Sequence, residues 1–440
     1  MDGSNRYEEF LAVSAKKTPQ FDVSEPHIAV GYTSDLDVLL NWDQAVFDKL
    51  IAEHLHTVPS FEEGERIETL EDFARIMAHF VQHGMGGEIE ISSPKICDWL
   101  VKNFQSVKAL GGTGAQCSAA LGTIGYPVAV HISDKCAEVC EFLDYPSVKT
   151  VKGRGLCPVM VVATEHMPVY HFICQYDKGA RVTVGGKTFE APVSNRLILD
   201  FDIIHKRFLP DRAYFAYLEK HATEFRVLSI SGFNAIVSPD VAKSDLAPLV
   251  AHFKALKQKN PSLVIYLESA HYLSCSVRDT VFELLGPYVD ILGMNEEEVQ
   301  ACAELQGVPI DKNNFDSMIH GLSLVLRQYP VGGIILHTKD YAAYFGKPLK
   351  VDIELGLTAG NLLSGTRART GHYGNLQECR ELLQYGFSQT GAQFSAEAAA
   401  WQPQHPERQL VLVPSRYLER PRCTIGLGDT FVAGVLTCFA

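Results

Sequence analysis

Short apolar segments alternate with helical segments along most of this chain, and that alternation limits the folds open to it more than any other feature. Strands are predicted at residues 28–32, 128–132, 159–163, 227–230, 263–267, 289–292, 333–336 and 410–413. Helices are predicted between them, for example at residues 245–257 and 296–305. Strands that alternate with helices predict a mainly parallel sheet with helices on both faces. The sequence therefore predicts a doubly wound α/β fold.

One stretch departs from this alternation. Residues 169–189 read as short strands separated by turns at Lys178-Gly179 and Gly185-Gly186, a pattern typical of antiparallel hairpins. The pattern predicts a smaller β-rich lid domain, to which residues 33–105 and 167–200 contribute. The remainder of the 440 residues is predicted to form one large α/β domain, so that the whole chain is a single functional unit.

Composition and charge argue against several classes of partner. Lys and Arg number 39 against 52 Asp and Glu, and the formal net charge of −13 disfavours a nucleic-acid scaffold. No apolar run is long enough to span a bilayer, and residues 1–22 lack the apolar core of a secretory signal. The 11 cysteines show no C-x-x-C spacing, which is typical of free thiols in a reducing compartment. We expect a cytoplasmic monomer or small homo-oligomer that binds neither nucleic acid nor membranes.

The segment from Thr424 to Gly434 carries the strongest chemical signal. Gly426 and Gly428 permit a tight turn that directs backbone N–H groups at a ligand, and an apolar run after them predicts a helix that begins at the same point. Such N–H groups and the positive end of a helix form an anion site. Asp429 at this site fits a base that accepts a proton from a hydroxyl while its oxygen attacks a phosphate. The alternative is that Asp429 only caps the helix.

Polar residues also follow or occupy predicted elements in the first third of the chain. Asp35 and Asp37 come after the first strand, where carboxylates commonly bind sugar hydroxyls, although an Asx-rich turn is the alternative. Glu88 and Glu90 belong to an alternating segment, so both carboxylates lie on one face of a predicted strand. Residues 111–114, Gly-Gly-Thr-Gly, precede a helical run but fail the dinucleotide-binding pattern, because a cysteine replaces the third glycine.

Carboxylates end two strands of the predicted large sheet. Glu268 and Glu298 each come just after a buried strand. Since the carboxyl ends of parallel strands surround the usual ligand crevice, we expect both side chains near Asp429. Together the three carboxylates would hold Mg²⁺, in part through water molecules. The alternative for Glu298 is a place in the acidic first turn of a helix.

Seven segments, in this order, resemble the ADP-dependent glucokinase and phosphofructokinase family of the ribokinase-like superfamily. They are residues 31–37, 111–114, 171–179, 195–196, 231–232, 295–298 and 425–429. The resemblance covers most of the chain, from Val30 to Ala440, and implies a ribokinase-like sheet with a β-rich lid that closes on the sugar. It also implies Mg²⁺-dependent transfer of the β-phosphoryl group of ADP to a hexose or hexose phosphate, giving AMP.

The resemblance implies roles for individual residues of this sequence. Asp429 is similar to the base on the sugar hydroxyl, Gly426 and Gly428 to the anion hole, and Arg196 to the arginine that reaches the transferred phosphoryl group. The implied metal-site residues are Glu268, Glu298 and Asp429. The implied sugar-binding residues are Asp35, Asp37, Glu90 or Glu88, Gly112, Thr113 and His171. The implied nucleotide-binding residues are His337, Thr338, Val413 and Leu427.

The residues implied in chemistry match the family pattern, whereas others depart from it. Asp35 replaces the usual Asn, and Thr113 replaces the usual Gln or Asn. Tyr266 stands where a His normally begins the H-x-E element, and Asn234 stands where Gln is usual. Because the sugar-facing residues have changed most, the identity of the sugar is open.

Two charge arguments bear on the sugar. In the family, a glutamate at the position of Glu90 or Glu88 accompanies acceptance of glucose, and a carboxylate there would repel a sugar phosphate. In the opposite direction, the basic residues Lys178, Arg181 and Lys187 could hold a 6-phosphate, although they also fit a solvated hairpin face. We predict glucose by a narrow margin, with fructose 6-phosphate or both sugars as the alternative.

Two further functions compete with this reading. An ATP-dependent sugar or nucleoside kinase of the same superfamily would share the motifs, and the preference for ADP depends on the resemblance alone. A sugar- or nucleotide-binding regulator with a degenerate site is the alternative of a different class. The presence of Asp429, Arg196 and Glu298 opposes it, because a regulator does not require a base beside an anion hole.

Overall fold

A computed structural model of the chain describes residues 3–62, 64–272 and 274–440, which form two compact units. The larger unit contains the chain up to Ser34, together with Gly112–Thr164 and His205–Ala440. The smaller unit contains Asp35–Gly111 and Glu165–Ile204. The lid predicted for residues 33–105 and 167–200 overlaps the smaller unit, and its action as a lid stays a prediction.

The strands of both units are short. In chain order they are β1 (Ile28–Val30), β2 (Asp35–Leu40), β3 (Gly87–Glu90), β4 (Ser106–Gly111), β5 (Val128–Val130), β6 (Val148–Lys152), β7 (Gly155–Pro158), β8 (Tyr170–Tyr176), β9 (Arg181–Val184), β10 (Lys187–Glu190), β11 (Asn195–Phe201), β12 (Val227–Ile230), β13 (Val264–Glu268), β14 (Ile291–Asn295), β15 (Gly333–His337), β16 (Tyr341–Gly346) and β17 (Gln409–Pro414).

The α-helices connect these strands. In chain order they are α1 (Gly3–Lys17), α2 (Gln44–His54), α3 (Leu70–His83), α4 (Pro94–Asn103), α5 (Thr113–Thr123), α6 (Ala137–Glu141), α7 (Arg212–Lys220), α8 (Pro239–Lys259), α9 (Cys275–Leu285), α10 (Glu296–Glu304), α11 (Phe315–Gln328), α12 (Ile353–Thr370), α13 (Leu376–Leu382), α14 (Gln389–Trp401) and α15 (Leu427–Leu436). Several begin at a side chain that accepts from the first turn; at α10, Asn295 and Glu298 form a reciprocal capping box.

The larger unit is built on one sheet in the spatial order β17-β16-β15-β14-β13-β12-β1-β5-β6-β7. The strands from β15 to β6 pair in parallel, and the antiparallel pairs lie at the two edges. Strand β1 pairs with β12 on one side and with β5 on the other, so the strand order reverses at β1. Open α/β sheets commonly bind ligands at the carboxyl ends of the strands beside such a switch point. The predicted doubly wound, mainly parallel α/β fold is confirmed.

One predicted strand is wrong. Residues 159–163 were expected to form a strand because they are apolar and β-branched, but Val159–Val162 is a short 3-10 helix. Strand β7, which ends at Pro158, pairs with β6 and is the edge strand of the sheet here. Val161 is 48% exposed, so the apolar run is not buried as a core strand would be. A short apolar run does not by itself distinguish a strand from a turn of helix.

The smaller unit has a sheet of five strands in the order β3-β11-β8-β2-β4, and β9 and β10 form a separate hairpin. One face of the five-stranded sheet is apolar: Leu36 and Val38 of β2 and Phe172 of β8 are fully buried there. Helices α2 and α3 add further apolar side chains to this unit, including Phe47 and Phe73. Because side chains alternate along each strand, the opposite face carries the remaining residues, many of which are polar.

Helices α12 and α15 of the larger unit pack with their backbones in close approach. A side chain at Gly434 of α15 would collide with the backbone of Ala359 and Gly360 in α12, and one at Gly360 would collide with Phe431. Farther along, Gly356 lies against Val435 and Cys438. The two helices therefore run antiparallel, and the carboxyl-terminal half of α12 lies beside the start of α15. Glycine at these positions permits a separation that any Cβ would prevent.

We predict that Gly434→Ala destabilises the larger unit by about 1–3 kcal/mol, because the added methyl group meets backbone atoms that cannot rotate away. The measurement is the midpoint of urea unfolding. Gly386→Ala is the matched control: a Cβ at Gly386 meets no atom within 4 Å, so its midpoint should change by less than the equivalent of about 1 kcal/mol. Equal midpoints for Gly434→Ala and the wild type would contradict the close packing.

Candidate active site

The glycine-rich loop before α15 has the geometry of an anion site. Gly426 has a positive φ of 65° and forms the N-cap of α15, and Asp429 lies in the first turn. Thr430 closes the turn, because its N–H and its hydroxyl both donate to the carbonyl of Gly426, at 3.1 Å and 2.8 Å. The loop therefore presents helix N–H groups beside the Asp429 carboxylate. The prediction that Asp429 is a base rather than a helix cap is not decided by this geometry.

Glu268 at the end of β13 is held by two donors. The hydroxyl of Tyr266 donates to one carboxylate oxygen at 2.8 Å, and Nε2 of His337 lies 2.8 Å from the other. Burial opposes a charge on His337, but the neighbouring Glu268 raises the pKa of the imidazole above its ordinary value. Tyr266, which occupies the usual position of a histidine, thus still supplies a hydrogen bond to the carboxylate two residues later.

Glu298 lies in the first turn of α10, directly after the neighbouring strand β14, and is near Glu268. Its carboxylate accepts from the N–H of Asn295 at 3.0 Å in the capping box of α10. Burial, followed by the negative charge of Glu268, raises the pKa of Glu298 to about 7. A bound divalent cation would relieve this repulsion, and carboxylate oxygens are the ligands that Mg²⁺ prefers. The two residues therefore fit a divalent cation.

Metal-ligand spacing also occurs elsewhere. In the part of the chain that the structure describes, the His and carboxylate groups within 4.8 Å of one another are Asp35, Asp37 and His171, and His171, Asp200 and Asp202. The predicted metal residues Glu268, Glu298 and Asp429 are not among these groups. Their role as metal ligands stays a prediction.

A cleft of about 550 Å³ opens beside the glycine loop in the larger unit. Among the predicted nucleotide-binding residues, His337, Thr338 and Leu427 line it, as does Gly428. A Cβ at Gly428 would lie 3.2 Å from the ring of His337, so glycine keeps this wall of the cleft open. Val413 is placed differently: its carbonyl accepts from Asn361 at 3.1 Å, and it is Asn361 that lines the cleft.

The predicted residues Gly112 and Thr113 lie at the start of α5 in the larger unit. Gly112 is the N-cap, with a φ of 81°, and a side chain there would collide with the backbone of Thr33. A side chain at Gly232 would collide with the side chain of Thr33. Three segments of the family pattern therefore meet around Thr33, at the point where β1 and β12 end.

In the smaller unit, the register of the strands aligns acidic residues with one histidine. Glu90 of β3 is paired with Asp200 of β11, Asp200 with His171 of β8, and His171 with Asp37 of β2. Directly paired residues point to the same face of a sheet, so these four form a row across it. We call this set, with Asp35, the acidic row. Sequence reasoning missed Asp200, although its alternation in Leu-Ile-Leu-Asp-Phe was a usable signal.

His171 stands among the carboxylates of the acidic row. Its Nδ1 is 3.3 Å from Asp35 and 3.8 Å from Asp37, and its Nε2 is 3.4 Å from Asp200. Burial disfavours a charged imidazole, but the charges of Asp35, Asp200 and Asp37 together raise the pKa of His171 well above its ordinary value. His171 is therefore an imidazolium at neutral pH and compensates part of the buried negative charge.

The structure revises the sequence interpretation of Asp35 and Asp37. Neither belongs to a turn after β1; both lie within strand β2 and are buried. The Asx-rich turn is therefore wrong, because backbone pairing with β4 and β8 draws these residues into a second sheet. A side chain at Gly111 would collide with Asp35, so the glycine leaves room for this carboxylate.

Glu88 and Arg196 lie on the same face as the acidic row but outside it. Glu88 pairs with Ile198, two residues from Glu90, and is exposed. Arg196 pairs with Gln175 and is exposed as well. Of the two glutamates that the sequence left open, Glu90 is the one in line with His171. It also forms an ion pair of 3.2 Å with Arg66.

Sequence reasoning also missed a buried arginine in the larger unit. Arg367 of α12 contacts Thr430 directly behind the glycine loop. A weak signal existed, since an arginine in a mostly apolar helical segment is uncommon unless it has a partner.

No helix of the described residues combines the length and apolar character needed to cross a membrane.

The chain is similar to known proteins over nearly its whole length. Residues 26–438 match the family model described as the ADP-specific phosphofructokinase/glucokinase conserved region. The chain is 24% identical to the ADP-specific phosphofructokinase of Pyrococcus furiosus, over 95% of this chain and 98% of that protein. It is 22% identical to the ADP-dependent glucose/glucosamine kinase of Pyrococcus abyssi, over 83% of each chain. The solved structure of the last common ancestor of ADP-dependent phosphofructokinases from Methanosarcinales is similar in fold, with a TM-score of 0.81, 18% identity and coverage of 99% and 97%.

The raised pKa of Glu298 predicts a pH dependence of stability. Between about pH 4.5 and pH 7 the folded state keeps a proton on Glu298, whereas the unfolded chain, whose carboxyl has the ordinary pKa of 4.5, has released it. The stability that this proton contributes to the folded state is therefore lost as pH rises through about 7. Without metal, the wild type should lose more stability over this window than Glu298→Gln. Urea midpoints measured in a chelator over the window give both slopes. Mg²⁺ should restore the wild type above neutral pH more than the variant.

The same experiment can contradict the assignment. Parallel slopes for the two proteins would mean that Glu298 titrates normally and that no charge repulsion with Glu268 exists in the folded state.

Proposed function

Because the chain belongs to the ADP-specific phosphofructokinase and glucokinase family, we propose that it transfers the β-phosphoryl group of ADP to a hexose hydroxyl and releases AMP. That it is an ADP-dependent sugar kinase follows from the family. The product AMP, the sugar and the residue roles are the proposal. The observation that carries it is the glycine loop at the start of α15, which places Asp429 in the first helical turn beside the cleft of the larger unit.

In-line phosphoryl transfer asks the protein mainly to position the reactants and to stabilise charge. The Asp429 carboxylate accepts the proton of the attacking sugar hydroxyl. The N–H groups of the loop from Gly426 to Gly428, with the positive end of α15, stabilise the charge that develops on the phosphoryl oxygens. Glu268 and Glu298 would hold a divalent cation, which would neutralise charge on the phosphates. His337, Thr338 and Leu427 bind the nucleotide in the cleft that they line.

Asp35, Asp37, Glu90 and His171 are proposed to bind the sugar hydroxyls. Carboxylates accept hydrogen bonds from hydroxyl groups, and their negative charge disfavours a sugar that carries a phosphate. The basic residues Lys178, Arg181 and Lys187, which favoured a sugar phosphate, belong to or adjoin the separate hairpin of β9 and β10 and are exposed. These features support glucose as the acceptor.

Fructose 6-phosphate stays the alternative acceptor for a specific reason. Arg66 is 59% exposed at its side chain and pairs with Glu90 at 3.2 Å, so a cation is available at one end of the acidic row. A 6-phosphate could exchange places with Glu90 as the partner of this guanidinium. The named relatives include both phosphofructokinases and a glucose/glucosamine kinase, and so do not discriminate.

The donor and the base are tested together. We expect turnover of ADP with glucose, formation of AMP and little use of ATP. Asp429→Asn keeps the shape of the side chain but cannot accept the proton, so kcat should fall by about 10²–10⁴-fold. Sugar phosphate and AMP are quantified after incubation with Mg²⁺, each nucleotide and each sugar, and calorimetry checks that the variant still binds ADP.

Two outcomes would overturn parts of this proposal. Turnover with ATP and none with ADP would make the protein the ATP-dependent kinase considered above. An Asp429→Asn variant with near-normal kcat would remove Asp429 from the mechanism while leaving the donor preference intact.

The sugar is tested with Glu90→Ala. If Glu90 binds a glucose hydroxyl, kcat/KM for glucose should fall by about 10–100-fold, the value of a hydrogen bond to a charged group. Use of fructose 6-phosphate should be unchanged or improved, because a repulsive charge is removed. Glu88→Ala is the matched control on the same strand and face, and should alter neither sugar. Equal effects of Glu90→Ala on both sugars would refute its role in recognition.

A further inference from the structure

Arg367 is a buried cation behind the glycine loop of the larger unit. The residue is only 6% exposed. Its Nη1 donates to the hydroxyl oxygen of Thr430 at 3.0 Å, and that hydroxyl donates to the carbonyl of Gly426 at 2.8 Å. A side chain at Gly426 would lie 2.7 Å from Nη2 of Arg367. The guanidinium therefore lies directly against the backbone of the loop that carries Asp429.

The guanidinium also contacts an aromatic ring. It lies over the ring of Tyr373, 4.5 Å from the centroid, in a cation–π contact. The hydroxyl of Tyr373 donates to Oε1 of Gln116 at 3.3 Å, and Gln116 is buried in the first turns of α5. A polar chain thus runs from the loop of α15 through α12 to the helix that begins at Thr113. It connects two glycine-rich segments of the family pattern.

The charge of Arg367 is incompletely compensated by these contacts. A buried cation is costly unless it is paired, and Thr430 and Tyr373 are neutral. Among the described residues, Nε of Arg367 is buried without a hydrogen-bond acceptor. Burial disfavours its charge, yet Tyr373 and Asp429 raise the pKa of the guanidinium, so it stays protonated. The guanidinium therefore places a buried positive charge behind the loop, where it also interacts with the charge of Asp429.

We propose that Arg367 is a positioning residue for phosphoryl transfer: it holds the loop from Gly426 to Asp429 through Thr430 and adds positive charge behind the loop's N–H groups. The proposal deepens the function proposed above and rests on it. An anion at the loop is stabilised by the N–H groups in front and by the guanidinium behind them. A purely structural role would require the side chain for stability but not its charge for catalysis.

The test compares Arg367→Gln and Arg367→Lys with a control on the same helix. Arg369→Gln removes an arginine two residues away, which pairs with Glu381 at 2.9 Å. Because an anion-stabilising group acts mainly on the transition state, Arg367→Gln should lower kcat by about 100-fold and change the KM for ADP by less than about threefold. Arg367→Lys keeps the charge and should recover at least about tenfold of the lost kcat. Arg369→Gln should match the wild type.

A variant that spares the buried charge guards against misfolding of Arg367→Gln. Thr430→Val removes the hydroxyl link while it keeps Arg367, so it should fold and show a partial loss of kcat. Circular dichroism and thermal unfolding are recorded for all variants. If Arg367→Gln is folded and its kcat lies within about twofold of the wild type, the scatter of such comparisons, the proposal is overturned. A loss that Arg367→Lys does not recover, with Thr430→Val unaffected, overturns it as well.

Binding of inorganic phosphate to protein saturated with AMP separates this proposal from the proposed function. Calorimetry should show phosphate affinity at least about tenfold weaker in Arg367→Gln, and unchanged in Arg369→Gln. If the wild type does not turn over ADP and hexoses but this difference persists, the function fails and the role of Arg367 in anion binding stands. If the wild type turns over and Arg367→Gln equals it in kcat and phosphate affinity, only the role of Arg367 fails. A wild type that neither turns over nor binds phosphate overturns both.

Discussion

The antiparallel packing of α12 on α15 is the contact on which the larger unit's site depends. Gly356, Gly360 and Gly434 allow the two backbones to approach so closely that the position of one helix along the other is fixed. This register places Arg367, near the end of α12, behind Gly426 and Thr430 at the start of α15. A glycine-rich loop in isolation would have no fixed direction. The helix contact fixes the place of this loop and buries a cation behind it.

Charge is arranged differently in the two units. The smaller unit concentrates carboxylates in the acidic row and places an imidazolium, His171, among them. The larger unit places carboxylates at the strand ends and a buried guanidinium behind the loop. Buried charges are costly unless they are compensated, so each arrangement needs the partner that the fold provides. In both cases the charged partner lies on a different element of the same unit.

Glu268 is held by two residues from different strands, one at each carboxylate oxygen. Tyr266 lacks the imidazole that the family pattern has there, yet its hydroxyl donates to the Glu268 carboxylate at 2.8 Å. The other oxygen of Glu268 is held by His337, which also lines the cleft of the larger unit. A single carboxylate therefore joins the predicted metal site to the predicted nucleotide side.

The sequence by itself determined the class of the fold and predicted the main candidate site residues. The alternation of apolar and helical segments specifies a parallel sheet, because it sets which residues each element can bury. The glycines around Gly426 are local signals of backbone freedom, and the carboxylates at the end of β13 and at the start of α10 are local signals of charge. These signals can be recognised without a structure. The conformation of the short apolar run at 159–163 cannot, because periodicity does not distinguish a brief strand from a helical turn.

Only the tertiary structure decided which distant residues meet. His337 contacts Glu268 across 69 residues, and Arg367 contacts Thr430 across 63. The acidic row exists because strand register aligns β3, β11, β8 and β2, and the same register turned Asp35 and Asp37 from a supposed turn into buried strand residues. Sequence patterns report the period and torsions of a segment. Strand order, register and helix packing are set by the sum of contacts over the whole unit, and no local pattern contains that sum.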